Sequence, residues 1–317
     1  MKYWITIRQV QKGSFVDTPE LGATRYLRVP DAELPSPEHE VGVKQWTREI
    51  IESFPISENE PTGDILFFVH GYHNSVNDAD GRHRLVQEGL TANNFSCAVV
   101  SFDWPSGASA LASLEDRDVA KITAVRLVSA GIKLFVQARR LRCGIRLHVL
   151  GHTTGAFAIR EAFDHADDNR ATATNWMVSQ LVLVAGDVSA TSFSADKPES
   201  DSTYRHCYRL TNYHNGYDEV LQISNVKRIG LAPRIGRVGL PDDAPKKATN
   251  VDCSSHFQSA YRESDGTAAF LTTSHIWYFS DPIFQRDLAI TLRGAIDRQL
   301  IPTRSGSSSG NKQCLIV

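Results

Sequence analysis

Residues 145–158, Ile-Arg-Leu-His-Val-Leu-Gly-His-Thr-Thr-Gly-Ala-Phe-Ala, constrain what this chain can fold into more than any other stretch. A run fit for a buried strand ends at Gly151, and a helix-compatible run free of proline begins at Ala156. Between them, Gly151-His152-Thr153-Thr154-Gly155 follows the G-x-S-x-G pattern of a nucleophile elbow with threonine at its centre. A strand that turns abruptly into a helix leaves no room for a Cβ at 151 or 155 and thrusts the middle residue outward. Thr153 would then take positive φ, which is costly for any non-glycine residue and more so for a β-branched one.

The rest of the chain supplies context. Asp64–His70, Cys97–Phe102 and Gln180–Ala185 are further apolar runs of strand length, each closed by a turn, and they read as strands buried on both faces. Helical spacing appears at 43–54, 78–93, 111–141, 155–165 and 281–300. Strands alternating with helices predict a doubly wound, mostly parallel sheet. Residues 3–10 and 24–29 add an antiparallel hairpin at the N-terminal sheet edge, with Trp4, Thr6 and Arg8 on one face of the first strand. In such sheets ligands sit beyond the carboxyl ends of the strands, where this reading puts His70, Gly71, Asp103, Thr153 and Asp187.

The expected organisation is a single α/β domain over 1–300. Loops at 189–203 and 225–270 could cap the pocket, and residues 301–317 form a Ser/Gly-rich tail expected to be disordered. The 34 Lys+Arg and 36 Asp+Glu nearly cancel, to a net charge of −2, which argues against nucleic acid or an anionic membrane as main partner. Five scattered cysteines without C-x-x-C spacing argue against a disulfide scaffold or a structural zinc site. With no spanning segment and no signal-peptide pattern, the expectation is a cytoplasmic protein. No cofactor or metal is expected; His70 and His73 lack a carboxylate at ligand spacing. Oligomeric state is left open. The terminal Cys314-Leu315-Ile316-Val317 matches a prenylation pattern that a chance ending would also produce.

At the level of motifs the chain resembles a bacterial α/β-hydrolase family of largely undefined substrate. The resemblance rests on Phe68–Ser75, Ser101–Ser106, the elbow, Val184–Val188, Asn212–Ile223 and Ser274-His275, in colinear order over roughly residues 60–300. It implies a serine-hydrolase, esterase-like fold and a triad in the order nucleophile, acid, base. Carried over by position, these are Thr153, Asp218 and His275. The family has serine where this chain has Thr153.

The roles follow from chemistry. A neutral alcohol needs a base within hydrogen-bond reach, and that base needs an acid to fix its tautomer. The N–H groups of Tyr72 and Thr154 would form an oxyanion hole. His70, Gly71, Asp103, Trp104, His152 and Asp187 would line or brace the substrate pocket. His256 is the alternative base and Asp187 the alternative acid. Two functions follow: hydrolysis of an ester-like, small-molecule acyl substrate, or a hydrolase-fold pseudoenzyme or binding module in which Thr153 has replaced the working serine.

Overall fold

A computed structural model describes residues 1–18, 20–71, 74–106, 115–139, 144–168, 176–227, 232–261, 268–294, 301–306 and 312–316. β1 (Lys2–Arg8) leads into a small hairpin, β2 (Val10–Gln11) and β3 (Ser14–Phe15), then β4 (Leu21–Val29) and the short β5 (Glu40–Val41). Helix α1 (Val43–Glu52) and β6 (Ile56–Ser57) precede β7 (Glu60–Val69), α2 (Val76–Ala92) and β8 (Ala98–Asp103). α3 (Glu115–Arg126) continues through a π-helical stretch (Leu127–Ile132) into α4 (Lys133–Arg139), where one long helix was expected. β9 (Gly144–His152), α5 (Thr154–Asp168) and β10 (Val178–Val184) follow. Next come α6 (Pro198–Arg205), β11 (Cys207–His214), α7 (Glu219–Lys227), α8 (Ile235–Val238) and β12 (Ala248–Asp252). The chain ends with α9 (Ser254–Tyr261), α10 (Ala268–Ile276), α11 (Pro282–Arg293), β13 (Arg304–Gly306) and β14 (Lys312–Leu315).

The strands order as β13-β14-β12-β11-β10-β9-β7-β8-β1-β4-β5. Every pairing from β1 through β8, β7, β9, β10, β11 and β12 to β14 is parallel. Antiparallel pairs close both edges, β1–β4–β5 at one and β13–β14 at the other. The N-terminal hairpin is therefore partly internal, because β1 also pairs with β8. Both edges of β1 are thus paired, and Thr6 and Arg8 on one face are buried along with Ile5 and Ile7 on the other.

Alternation along the strands divides the core into two layers. Ile65, Phe67 and Val69 of β7 point into a cluster with Trp46, Phe135 and Phe163, under α1, α4 and α5. Leu66 and Phe68 point to the other face, against Val86, Trp277 and Phe284. Leu181 and Leu183 of β10 go one way, and Val182 and Val184 the other. This is the two-faced burial that continuous apolar runs require, and each such side chain contributes about 1.5–3 kcal/mol.

Two segments differ from expectation. The polar stretch 194–203 holds most of α6, and Phe193 and Tyr204 are buried in the first layer, joined by the Tyr204 hydroxyl to the Phe193 carbonyl at 2.8 Å. The tail read as disordered contributes β13 and β14 to the sheet. Its anchor is Arg304, whose Nε donates to Asp287 Oδ2 at 2.8 Å, while Thr303 Oγ1 donates to the same oxygen at 2.5 Å. Leu315 is buried, and Cys314 lies in β14 opposite Asp252. Cys97, Cys207, Cys253 and Cys314 are free thiols, and Cys143 lies outside the described residues. Among the described residues no helix is long and apolar enough to cross a membrane.

Candidate active site

β9 ends at His152, Thr153 stands alone at φ +49°, and α5 begins at Thr154. A Cβ on Gly151 would fall 2.5 Å from Ile159 Cδ1 and 2.9 Å from the Ala156 backbone. One on Gly155 would fall 2.2 Å from the Val69 carbonyl oxygen. Both glycines are thus demanded by close packing, against α5 and against β7 respectively. The strained Thr153 backbone is held from three directions: its N–H donates to Val184 O, and its carbonyl accepts from Ala156 N and Asp187 N, each at 3.1 Å. A β-branched residue kept at positive φ costs on the order of 1–3 kcal/mol, which surrounding structure must offset. The Thr153 methyl is packed over Gly71, whose absent Cβ would lie 1.5 Å from it.

The acid and base expected from the sequence sit at the ends of elements further along the chain. Asp218 follows β11 and is fully buried; its Oδ2 lies 2.7 Å from His275 Nδ1, and its Oδ1 accepts from Leu221 N at 2.9 Å, capping α7. His275 comes from the last turn of α10. Asn215 and Ser274, to which the sequence reading gave no role, clamp these segments together. Asn215 donates from Nδ2 to the Ser274 carbonyl at 3.2 Å, and Ser274 Oγ accepts from Glu219 N at 3.2 Å. Their only signal in the sequence is adjacency to Asp218 and His275.

His152 joins His275 to the elbow. Its ring centre lies 4.8 Å from that of His275, and its Nε2 is 3.2 Å from the His275 carbonyl oxygen. Complete burial, with a further contribution from the His275 ring beside it, holds the His152 pKa well below its ordinary value. A neutral ring donating from Nε2 to that carbonyl is the consistent tautomer.

The remaining predicted residues divide. Asp187 is buried at the end of β10 with its Oδ1 3.2 Å from Arg234 Nε, so of the two candidate acids the one at His275 is Asp218. His70, Asp103 and Trp104, expected to line or brace the pocket, are buried. Burial opposes the Asp103 charge, but Arg8 and His70 beside it outweigh that and hold its carboxyl below the usual carboxylate range. Thr154 opens α5, with its hydroxyl oxygen buried and unpartnered among the described residues. Tyr72 lies outside the described residues. His256 pairs with Asp281 at 2.9 Å, separately from the elbow. Among the described residues no cluster of three or more His, Cys, Asp or Glu could hold a metal ion.

With this geometry in view, the sequence matches a family profile described as "Alpha/beta hydrolase of unknown function (DUF900)" over residues 48–253. The chain belongs to that family. The match spans Gly71, the elbow and Asp218, and stops before His275. No curated protein matches the chain. Among solved structures, a Lactobacillus plantarum WCFS1 protein described as a cell surface hydrolase is 13% identical, with a TM-score of 0.36, over 74% of this chain and 91% of that one. Phospholipase PlaB from Legionella pneumophila, in complex with thio-NAD, is 16% identical with a TM-score of 0.26. That alignment covers 60% of this chain and 37% of PlaB. Likeness at this level carries nothing about substrate or compartment, and the fold assignment rests on the family and on the sheet itself.

Proposed function

We propose that the chain is a hydrolase of an ester-like acyl substrate. Thr153 Oγ1 attacks the carbonyl carbon while His275 Nε2 takes its proton, and Asp218 keeps the other ring nitrogen protonated and stabilises the imidazolium. The tetrahedral oxyanion is met by the Thr154 N–H and, from the loop after β7, by the Tyr72 N–H. Collapse expels the alkoxide, which takes the proton from His275 and leaves an acyl-threonine; water then repeats the sequence and releases the acid.

The observation that carries the reading is the 2.7 Å contact of Asp218 with Nδ1 of His275, beside an elbow whose central residue is held at φ +49°. A second reading, a family member with little or no turnover, is favoured by the packing of the Thr153 methyl over Gly71, on the oxyanion side. p-Nitrophenyl ester hydrolysis by the native chain, Thr153→Ala and Thr153→Ser separates the two. The first reading expects native activity well above Thr153→Ala. Equal rates for those two, with activity appearing only in Thr153→Ser, would establish the second.

A further inference from the structure

Arg8 is fully buried in β1, far in sequence from the elbow. Its Nε lies 2.9 Å from each carboxylate oxygen of Asp103. Its Nη2 donates to the Asn74 carbonyl at 2.8 Å, and its Nη1 reaches Asp17 Oδ1 at 2.5 Å. Asp103 also accepts from Thr6 Oγ1 at 2.7 Å and lies 3.0 Å from His70 Nε2. The other His70 nitrogen, Nδ1, is 2.9 Å from the Gly71 carbonyl oxygen, and Asn74 Nδ2 donates to the same oxygen at 2.7 Å. Trp104 Nε1 donates to the His70 carbonyl at 2.9 Å, and Asn74 N donates to Ser106 Oγ at 3.1 Å. Backbone groups on both sides of residues 72–73 are therefore tied to one buried guanidinium–carboxylate unit.

We propose that Arg8 is a positioning residue for the oxyanion side of the site. Through its own Nη2 it fixes Asn74, whose Nδ2 donates to the Gly71 carbonyl, and through its Nε it holds Asp103 against the His70 ring. Gly71 is the residue packed against Thr153. The Gly71 carbonyl shares its peptide unit with the N–H proposed to meet the oxyanion, so fixing one constrains the other. Retaining a buried ion pair where apolar packing would serve stability as well is consistent with a geometric role. Lysine cannot replace the fork, since one ammonium does not reach Asp103 and Asn74 as two directed planar donors. The catalytic consequence rests on the hydrolase reading; the fixing of the loop does not.

The test uses the full chain with Arg8→Lys and Arg8→Met. Two quantities are read: amide hydrogen exchange in peptides covering residues 70–78 and 147–158, and kcat and KM on a p-nitrophenyl ester. Arg8→Lys keeps a positive charge beside Asp103 and supplies the folded variant if Arg8→Met does not fold. Loss of local fixing is expected to speed exchange in 70–78 by roughly tenfold while 147–158 stays within about twofold. kcat is expected to fall by about 10–100-fold with KM within about twofold, since donors misplaced for the transition state leave ground-state binding intact. Unchanged exchange in 70–78, or equal acceleration of both peptides, overturns the proposal. If the native chain is no faster than Thr153→Ala, the hydrolase reading fails. Exchange then decides the role of Arg8 by itself, with local acceleration upholding it and uniform acceleration overturning it.

Discussion

Two of the buried histidine–aspartate pairs in this molecule are built by the same device and sit in different surroundings. Asp218 and Asp281 each use one carboxylate oxygen to cap a helix, accepting from Leu221 N at 2.9 Å and from Phe284 N at 2.8 Å. Each offers the other oxygen to a histidine, His275 at 2.7 Å and His256 at 2.9 Å. The difference lies in which ring nitrogen is held and what surrounds the rest of the ring. His275 is held at Nδ1, and its carbonyl is bonded by His152, the residue before Thr153. His256 is held at Nε2; its acid is shared with the Tyr261 hydroxyl at 3.0 Å, its ring packs on Trp277, and its Nδ1 is buried and unpartnered among the described residues. A buried pair alone does not mark a catalytic site. The proposed triad rests instead on which nitrogen Asp218 holds and on the bond from His152, next to Thr153, to the His275 carbonyl.

The strongest way to break this comparison is to remove each imidazole. His275→Ala is expected to lower kcat on ester substrates by on the order of 10³–10⁴, as loss of a general base does. His256→Ala should leave kcat within about threefold yet lower the melting temperature by several degrees, because Asp281 loses a buried partner worth roughly 1–3 kcal/mol. Kinetics and thermal melts on the two variants check this; similar losses of kcat in both would erase the distinction. The acids sharpen it next. Asp218→Asn should cost about 10²–10⁴ in kcat by disturbing the tautomer of His275, whereas Asp281→Asn should act on stability alone.

A smaller effect is expected at the elbow. Thr153→Ser removes the methyl packed over Gly71 and relieves β-branched strain, and should raise kcat by about tenfold, measured as single turnovers. The smallest effect tests another buried imidazole. His83, stacked on Trp4 and 2.7 Å from Ser101 Oγ through Nδ1, has its pKa lowered to about 3, chiefly by burial. Below pH ~6.5 the unfolded chain binds a proton there that the native chain does not, so stability is complete above that pH and lost as pH falls toward the folded value. The slope is about 1.4 kcal/mol per pH unit, and urea titrations of native and His83→Gln protein at several pH values should differ by that slope.

Much of the fold is legible in the chain because its cause is local. The alternation of Ile65, Phe67 and Val69 with Leu66 and Phe68 already separates the two core layers. Gly151 and Gly155 announce the turn into α5, although only the fold identifies what they avoid, Ile159 for one and Val69 for the other. What escapes a linear reading depends on distant partners. Arg8 looks like an outward-facing charge until β8 pairs along the edge of β1 and brings Asp103 beside it. The Ser/Gly-rich tail conceals Arg304, whose place is set by Asp287 and Tyr213. The Pro198–Arg205 segment carries a helix that its Ser and Asp content obscures, anchored by Tyr204 in the core. The clamp from Asn215 to Ser274 joins segments that only tertiary packing brings together.

The account depends on Thr153 being the nucleophile that the Asp218–His275 pair serves. Incubation with a fluorophosphonate probe, followed by mass-spectrometric mapping of the adduct, addresses this directly. The expected adduct is on Thr153, retained in His256→Ala and lost in His275→Ala. An adduct on another hydroxyl, or an unmodified Thr153 at saturating probe, would contradict it.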